Sequence, residues 1–402
     1  MKNYKMIDLV SQVINGEWGE EVVHNSPSVK VIRSTNFTNV GQLNLEKGVV
    51  SRSINQTKVL KKRLEFGDTI IEKSGGSPGQ PVGRVVFFDI NEDTFLCNNF
   101  TSILRPNTEI VDSKYFFYLL FNSYRQRKVM RFQNNTTGII NLKLEQYLRG
   151  SEVVIPSKIV QRKIVEILDA AFLLIQKRQS QIKVLDELAQ SIFAGMFGSN
   201  ITSKYQKFQI DKLAINSKNA IKAGPFGSSL KKEFYVLEGY KVYGQEQVIR
   251  DDLSYGNYYI NEAKYKQLES CSIKENDILI SLVGTFGKIC IVPSVFEPGI
   301  INPRLMKISP DLNKIHPKFF KFLMSLPSTL SQITTQSHGG TMGIVNVGIM
   351  KNFKIIVPPI ELQQKFVREL EMIDYQKKIM ENSLCELEKL YISQLQKSFK
   401  EN

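Results

Sequence analysis

The sequence predicts an α+β chain: two mixed α/β domains separated by two long helices that form an antiparallel coiled coil, the whole a pseudo-two-fold internal repeat. Three observations carry this. GSEVVIPSKIVQRKIVEILD (150–169) returns as KNFKIIVPPIELQQKFVRELE (351–371) at a fixed shift of 202 residues. At that register Gln161 meets Gln363, Lys163 meets Lys365 and Leu168 meets Leu370, and it holds without a gap to Phe197 and Phe399. Such self-similarity marks one unit written twice. Second, 157–194 and 360–402 contain neither Gly nor Pro, and each follows a proline, a common helix opening. Third, the stretches before them are short β-rich runs bounded by turn residues. The expected order is a first domain over 1–155, a helical spacer over 156–198, a second domain over 199–357 and a second spacer over 358–402.

In the first domain VKVIRSTNF (29–37), GDTIIEKS (67–74) and VGRVVFFDI (82–90) read as strands. GYKVYGQEQVI (239–249), NDILISLVG (276–284) and KICIVPSV (288–295) play the same part in the second. Each domain closes with a short aromatic helix, KYFFYLLFNS (114–123) and KFFKFLMSL (318–326), and then a polar loop leading to a strand, TGIINL (137–142) and MGIVNV (342–347).

The spacers carry apolar residues three and four apart, a coiled-coil seam. In the second, Phe366, Leu370, Ile373, Met380, Leu384, Leu387 and Tyr391 fall on it, with Lys377 filling one position. In the first, Val160, Ile164, Ile167, Ala171 and Leu174 do so, and the pattern then slips one residue to Ile182, Leu185, Ala189 and Ile192. A helix of this length makes a rod of roughly 58 Å. That can set half-sites about one DNA turn apart, ~34–36 Å, with room for more.

The net charge of +14 is localised: residues 1–150 carry +6 and 199–352 carry +7, while the two spacers are nearly neutral. Two basic blocks divided by neutral helices suit a polyanion contacted at two places, duplex DNA better than RNA. The expected contacts lie in loops, where main-chain N–H groups, cations and amides suit phosphate and adenine. They are Ser74, Gly75, Gly76 and Ser77 with Arg84, then Arg125, Arg127, Lys128 and Arg131 followed by Asn134, Asn135 and Thr136. In the second block they are Ser228, Ser229, Lys231 and Lys232, and Gln336, Ser337, His338 and Thr341.

Catalytic chemistry is not expected in this chain. Pro-Pro occurs once, in VPPI (357–360), so the D/N/S-P-P-aromatic loop that holds a flipped adenine is missing, as are G-x-G-x-x-G and G-x-x-x-x-G-K-[ST]. Asp112-Ser-Lys114 and Glu262-Ala-Lys264 are chance-level nuclease-like scraps. Four scattered cysteines and three histidines, none near a cysteine, suggest neither disulfides nor a metal site. The longest apolar run, AAFLLI (170–175), is far too short to span a bilayer, and Asp8 and Gln12 interrupt any leader-like opening, so the cytoplasm is the expected compartment.

AGPFGSSLKKEFYVLEGYKVYGQEQVI (223–249), GTFGKICIVP (284–293) and the twice-used P-x-x-x-x-Q-x-K-[IF]-V resemble the specificity subunit of type I restriction–modification systems, over the whole length. NGEWGEEVVHNS (15–26) departs from GPFGSS, placing the first domain in a different recognition class. The resemblance implies a non-catalytic subunit with two target-recognition domains that bind a gapped, bipartite, asymmetric double-stranded DNA site. It also implies helices that act as spacer and docking surface, with two adenine-N6 methyltransferase subunits and two motor–nuclease restriction subunits as partners. S-adenosylmethionine, ATP and magnesium would belong to those partners, and no cofactor to this chain. The rival readings are a stand-alone two-headed DNA-binding or regulatory protein and a self-sufficient nuclease or methyltransferase.

Overall fold

The computed structural model describes residues 2–23, 27–77, 79–136, 139–198, 204–282, 287–336 and 346–400. Four helices carry the repeat: α1 (Ser113–Arg125), α2 (Lys158–Phe197), α3 (Pro317–Ser325) and α4 (Ile360–Ser398). The chain divides into two compact units, Met1–Gln181 with Met380–Asn402 and Ile182–Ile379. Each unit therefore takes part of α2 and part of α4.

In unit 1 an antiparallel sheet runs in the order Val10–Asn15, Thr101–Pro106, Thr69–Glu72, Val85–Phe87. In unit 2 the same order recurs as Ile221–Ala223, Leu305–Ile308, Ile278–Ser281, Ile289–Ile291. The central strands TIIE and ILIS are buried at every position. Their apolar runs Ile70-Ile71 and Ile278-Leu279-Ile280 therefore do not alternate with polar residues, and buried Glu72 is paired with Arg84. A second sheet in each unit holds a parallel pair, Val29–Ile32 with Phe95–Cys97 and Tyr240–Tyr243 with Gly299–Ile301. A third pairs the opening of each unit with the strand before the long helix, Lys2–Lys5 with Glu152–Ile155 and Lys207–Gln209 with Lys354–Ile356.

The turn before each central strand is built alike. In Glu65-Phe-Gly-Asp68 the Asp68 carboxylate accepts the Glu65 N–H at 2.8 Å, and in Lys274-Glu-Asn-Asp277 Asp277 accepts the Lys274 N–H at 2.9 Å. The residue before each aspartate is left-handed, Gly67 at φ +93° and Asn276 at φ +66°, positions glycine and asparagine tolerate best. Both aspartates are buried and meet a cation from the neighbouring strand, Arg105 at 2.9 Å and Lys307 at 3.9 Å.

α1 and α3 are aromatic because they fill the space between sheet and long helix. Phe116, Phe319 and Phe320 are almost fully buried, each worth about 2–3 kcal/mol of apolar transfer. One glutamine per unit fixes the start of the long helix to the start of the aromatic helix. Gln161 Oε1 accepts the Asp112 N–H at 2.6 Å, and its Nε2 donates to the carbonyls of Pro156 (2.9 Å) and Ile110 (3.2 Å). Gln363 Oε1 accepts the His316 N–H at 2.9 Å, and its Nε2 donates to Pro358 (2.7 Å) and Lys314 (2.9 Å). About two turns on, Lys114 pairs with Asp169 at 3.0 Å and Lys318 with Glu371 at 2.7 Å.

Within each unit the helix segments pair antiparallel. In unit 1 Phe172 meets Tyr391 at 5.8 Å between ring centroids, while Val160 and Ile164 share a cavity with Ser398 and Phe399. In unit 2 Lys377 reaches Asp186 at 2.7 Å, and Phe193 packs on Phe366 at 5.5 Å. The seam expected for the second copy holds. In the first copy Ile164, Ala171, Ile182, Leu185, Ala189 and Ile192 hold, but three positions are displaced by one residue: Val160, Ile167 and Leu174 are 41%, 50% and 53% exposed, whereas Gln161, Leu168 and Ile175 are buried. The inward positions run 161, 164, 168, 171, 175, 178, 182, 185, 189 and 192, with no slip. Apolar Val160 outbid Gln161 as a seam residue on hydropathy, but the Gln161 amide is buried on main-chain partners.

Candidate nucleic-acid interface

In unit 1 the strand Val10–Asn15 ends in Gly16, whose N–H donates to the Thr101 carbonyl at 3.2 Å. A Cβ on Gly16 would lie 1.9 Å from the Asn98 carbonyl oxygen, so only glycine fits. Trp18 follows, half-buried, with the Arg52 guanidinium 4.0 Å from its ring centroid, a cation–π contact. Lys62 and Lys58 hold Glu17 at 2.7 and 3.2 Å; the Lys62 hydrogen bond leads in pulling its carboxyl below the usual range. Lys73 donates to Asn15 Oδ1 at 2.6 Å, and burial lowers its pKa. The Phe100 carbonyl accepts the N–H groups of both Lys73 and Ser74.

Two of the expected groups come together here. Ser74–Gly76 pairs with Ile139–Leu142, which pairs with Gln133–Thr136, so Ser74, Gly75 and Gly76 share one three-stranded sheet with Asn134, Asn135 and Thr136. The Ser74 hydroxyl donates to Asn141 Oδ1 at 2.6 Å, and Ser77 forms a tight bridge with Gln80. Arg84 lies differently from a free phosphate ligand. Its guanidinium grips Glu72 through Nε and Nη2, both at 2.9 Å, and also donates to the Ser34 carbonyl. Arg125, Arg127 and Arg131 are exposed around the end of α1. Lys128 and Arg131 line a cavity of about 310 Å³ that Val160 and Phe399 also line, beside the long helices.

Unit 2 repeats the corner. The Gly224 N–H donates to Leu305 at 2.9 Å, and a Cβ on Gly224 would again lie 1.9 Å from a carbonyl oxygen, that of Asn302. Gly16 and Gly224 thus pin the chain in the same way, although the segments beyond them run differently: Glu20 bridges Ser53 in unit 1, and Gly227–Ser229 forms a short 3-10 turn in unit 2. Phe226 is 89% exposed, and the Ser229 N–H closes the turn on its carbonyl at 2.8 Å. Ser228 and Lys232 are exposed, Ser229 is half-buried, and Lys231 lies 3.7 Å from Glu233. Arg304 is exposed on the facing loop, and Gln245 donates to the Ser281 hydroxyl at 2.7 Å. Gln336 ends the helix Pro327–Gln336; Ser337, His338 and Thr341 lie outside the described residues.

Asn15, Trp18, Arg52, Lys73 and Phe100 in unit 1, and Phe226, Asn302 and Arg304 in unit 2, were missed from the linear pattern. The Gly-x-aromatic-Gly spacing near the start of each domain marks Trp18 and Phe226; the others are brought to the corners by strand pairing. Among the described residues no group of three or more His, Cys, Asp or Glu is placed to hold a metal ion. Nor, among them, is any helix long and apolar enough to cross a membrane.

Residues 8–184 and 203–389 each match the family described as the type I restriction modification DNA specificity domain. A Methanocaldococcus jannaschii protein described as a candidate specificity subunit of the type I restriction enzyme MjaX is 22% identical over 330 residues, 80% of this chain and 75% of the relative. The specificity subunit of the Escherichia coli type I restriction enzyme EcoBI is 22% identical over 321 residues, 73% of this chain and 67% of that one. The crystal structure of the type I restriction-modification S subunit from M. genitalium aligns over 100% of this chain and 96% of that one, with a TM-score of 0.57 at 16% identity. That last likeness is one of fold.

Proposed function

The chain belongs to the type I restriction–modification DNA specificity family, and from that premise we propose that it is the non-catalytic subunit that selects a gapped, bipartite, asymmetric duplex site. Residues before α2 read one half-site, and those between α2 and α4 read the other. The observation that carries this is the repeated corner: one glycine-pinned loop presents Trp18 under Arg52 in unit 1 and a bare Phe226 in unit 2. A shared frame with unlike outward chemistry suits two unlike half-sites.

The helices set the gap and dock the adenine-N6 methyltransferase subunits, and motor–nuclease subunits join that assembly. Supporting this, apolar side chains remain exposed on the helices away from the seam: Ile159, Ile167 and Leu173 in unit 1, Met372, Tyr375 and Ile379 in unit 2. S-adenosylmethionine, ATP and magnesium are carried by those partners. Genome-wide adenine methylation in cells expressing the chain with its methyltransferase tests the reading. The expected result is a gapped asymmetric motif that vanishes when this chain is omitted. Methylation indifferent to its removal overturns the assignment.

A further inference from the structure

Phe226 is the apolar side chain that unit 2 offers most openly at its loop corner. It is not a disordered tip. Gly224 is wedged against the Asn302 carbonyl, the Gly224 N–H is tied to Leu305, and the Phe226 carbonyl is tied to Ser229, all on the rim of a buried sheet. A rigid mount that leaves a phenyl ring 89% in water costs apolar exposure that folding gives no return on. Exposed polar residues adjoin it in the chain, Ser228 two residues on and Lys232 beyond, and exposed Arg304 belongs to the loop whose backbone packs on Gly224. In the matching place of unit 1 the aromatic ring is Trp18, and its face is already covered by Arg52.

Resting on the reading of the chain as a DNA-selecting subunit, we propose that Phe226 is an apolar wedge. It inserts at one base step of the half-site that unit 2 reads and unstacks that step, while Arg304 and Lys232 engage the flanking phosphates. Apolar side chains used this way kink the duplex and read how easily a step deforms. Unit 1 does not wedge: Trp18 is half-buried under the Arg52 guanidinium, and that side chain is itself only 14% exposed and lies 3.8 Å from Glu21. The two half-sites are then read by different physics.

The test uses the full chain in complex with its methyltransferase and duplexes carrying the methylated motif. The adenine analogue 2-aminopurine is placed in turn at each motif position except the methylated adenines, which the methyltransferase itself flips out of the stack. Wild type is expected to raise fluorescence at one step within a single half-site. Phe226→Ala should abolish that rise and weaken specific binding roughly tenfold, Phe226→Trp should retain both, and Arg52→Ala should leave the rise intact. Because Phe226 is exposed, the alanine variant keeps its fold. A Phe226→Ala complex that binds like wild type, or a wild-type complex that binds the motif tightly with no rise anywhere, overturns the wedge and leaves the specificity function standing. A wild-type complex with no preference for any sequence removes the functional reading, and the wedge with it.

Discussion

Unit 1 and unit 2 agree where the chain holds itself together and differ where it faces outward. The glutamine clamp, the lysine–carboxylate pair about two turns on, the aspartate turn and the glycine corner all occur twice. So does a second pair, Lys30 with Asp93 and Lys241 with Glu297, yet Lys241 is buried while Lys30 is exposed. Trp18 is covered and Phe226 is bare; Phe100 on one loop is replaced by Arg304 on the other. The difference teaches that the copies diverged under two constraints. One preserved main-chain geometry, and the other left the outward residues free to change.

The largest break in that parallel should come from the buried aspartates. Asp68→Ala leaves Arg105 with Glu65 and the Arg63 carbonyl, Asp277→Ala leaves Lys307 with the Ser272 carbonyl, and both lose the acceptor of the turn N–H; each should destabilise its own unit by about 3 kcal/mol, read by denaturant unfolding with amide exchange reporting which unit opens. Lys307 is the more buried partner, so Asp277→Ala is expected to be the worse of the two. Next come Gln161→Ala and Gln363→Ala, each leaving a buried N–H and two carbonyls without their amide. A cost of about 2–3 kcal/mol is expected for both, with faster exchange at the Asp112 and His316 amides respectively. Unequal costs would break the equivalence of the clamps.

Acid should separate the copies. The Lys241 hydrogen bond leads in holding the Glu297 carboxyl below its usual 4.5. A lowered carboxyl contributes stability that is full above the unfolded value and lost as pH falls through the lowered one. Unit 2 should therefore lose protection around Tyr243 below about pH 4.5, and Glu297→Gln should remove that dependence, as followed by amide exchange. The smallest effect belongs to Lys114→Met and Lys318→Met: both pairs are more than a third exposed, so each should cost under about 0.5 kcal/mol.

The repeat, the two long helices and the α+β class were legible because helical periodicity and a single 202-residue register survive in the letters. Three first-copy seam positions were misread by one residue because a buried glutamine satisfied by carbonyls looks polar in a pattern and apolar in a core. The union of Ser74 with Asn134 depends on strand pairing across 60 residues, which no local pattern encodes. Arg84 looked available because its partner, Glu72, sits twelve residues away across a hairpin. The GEWG and GPFG loops looked like a departure because the equivalence of Gly16 and Gly224 rests on contacts with a distant carbonyl and not on shared neighbours.

The clamp itself is blind to side chains. Gln161 and Gln363 hydrogen-bond only main-chain atoms, and one closes on an aspartate cap, the other on a histidine. A joint that inspects no side chain works as a standard coupling: the same amide can seat on the same long helix any aromatic helix that brings a main-chain N–H and a carbonyl to that place.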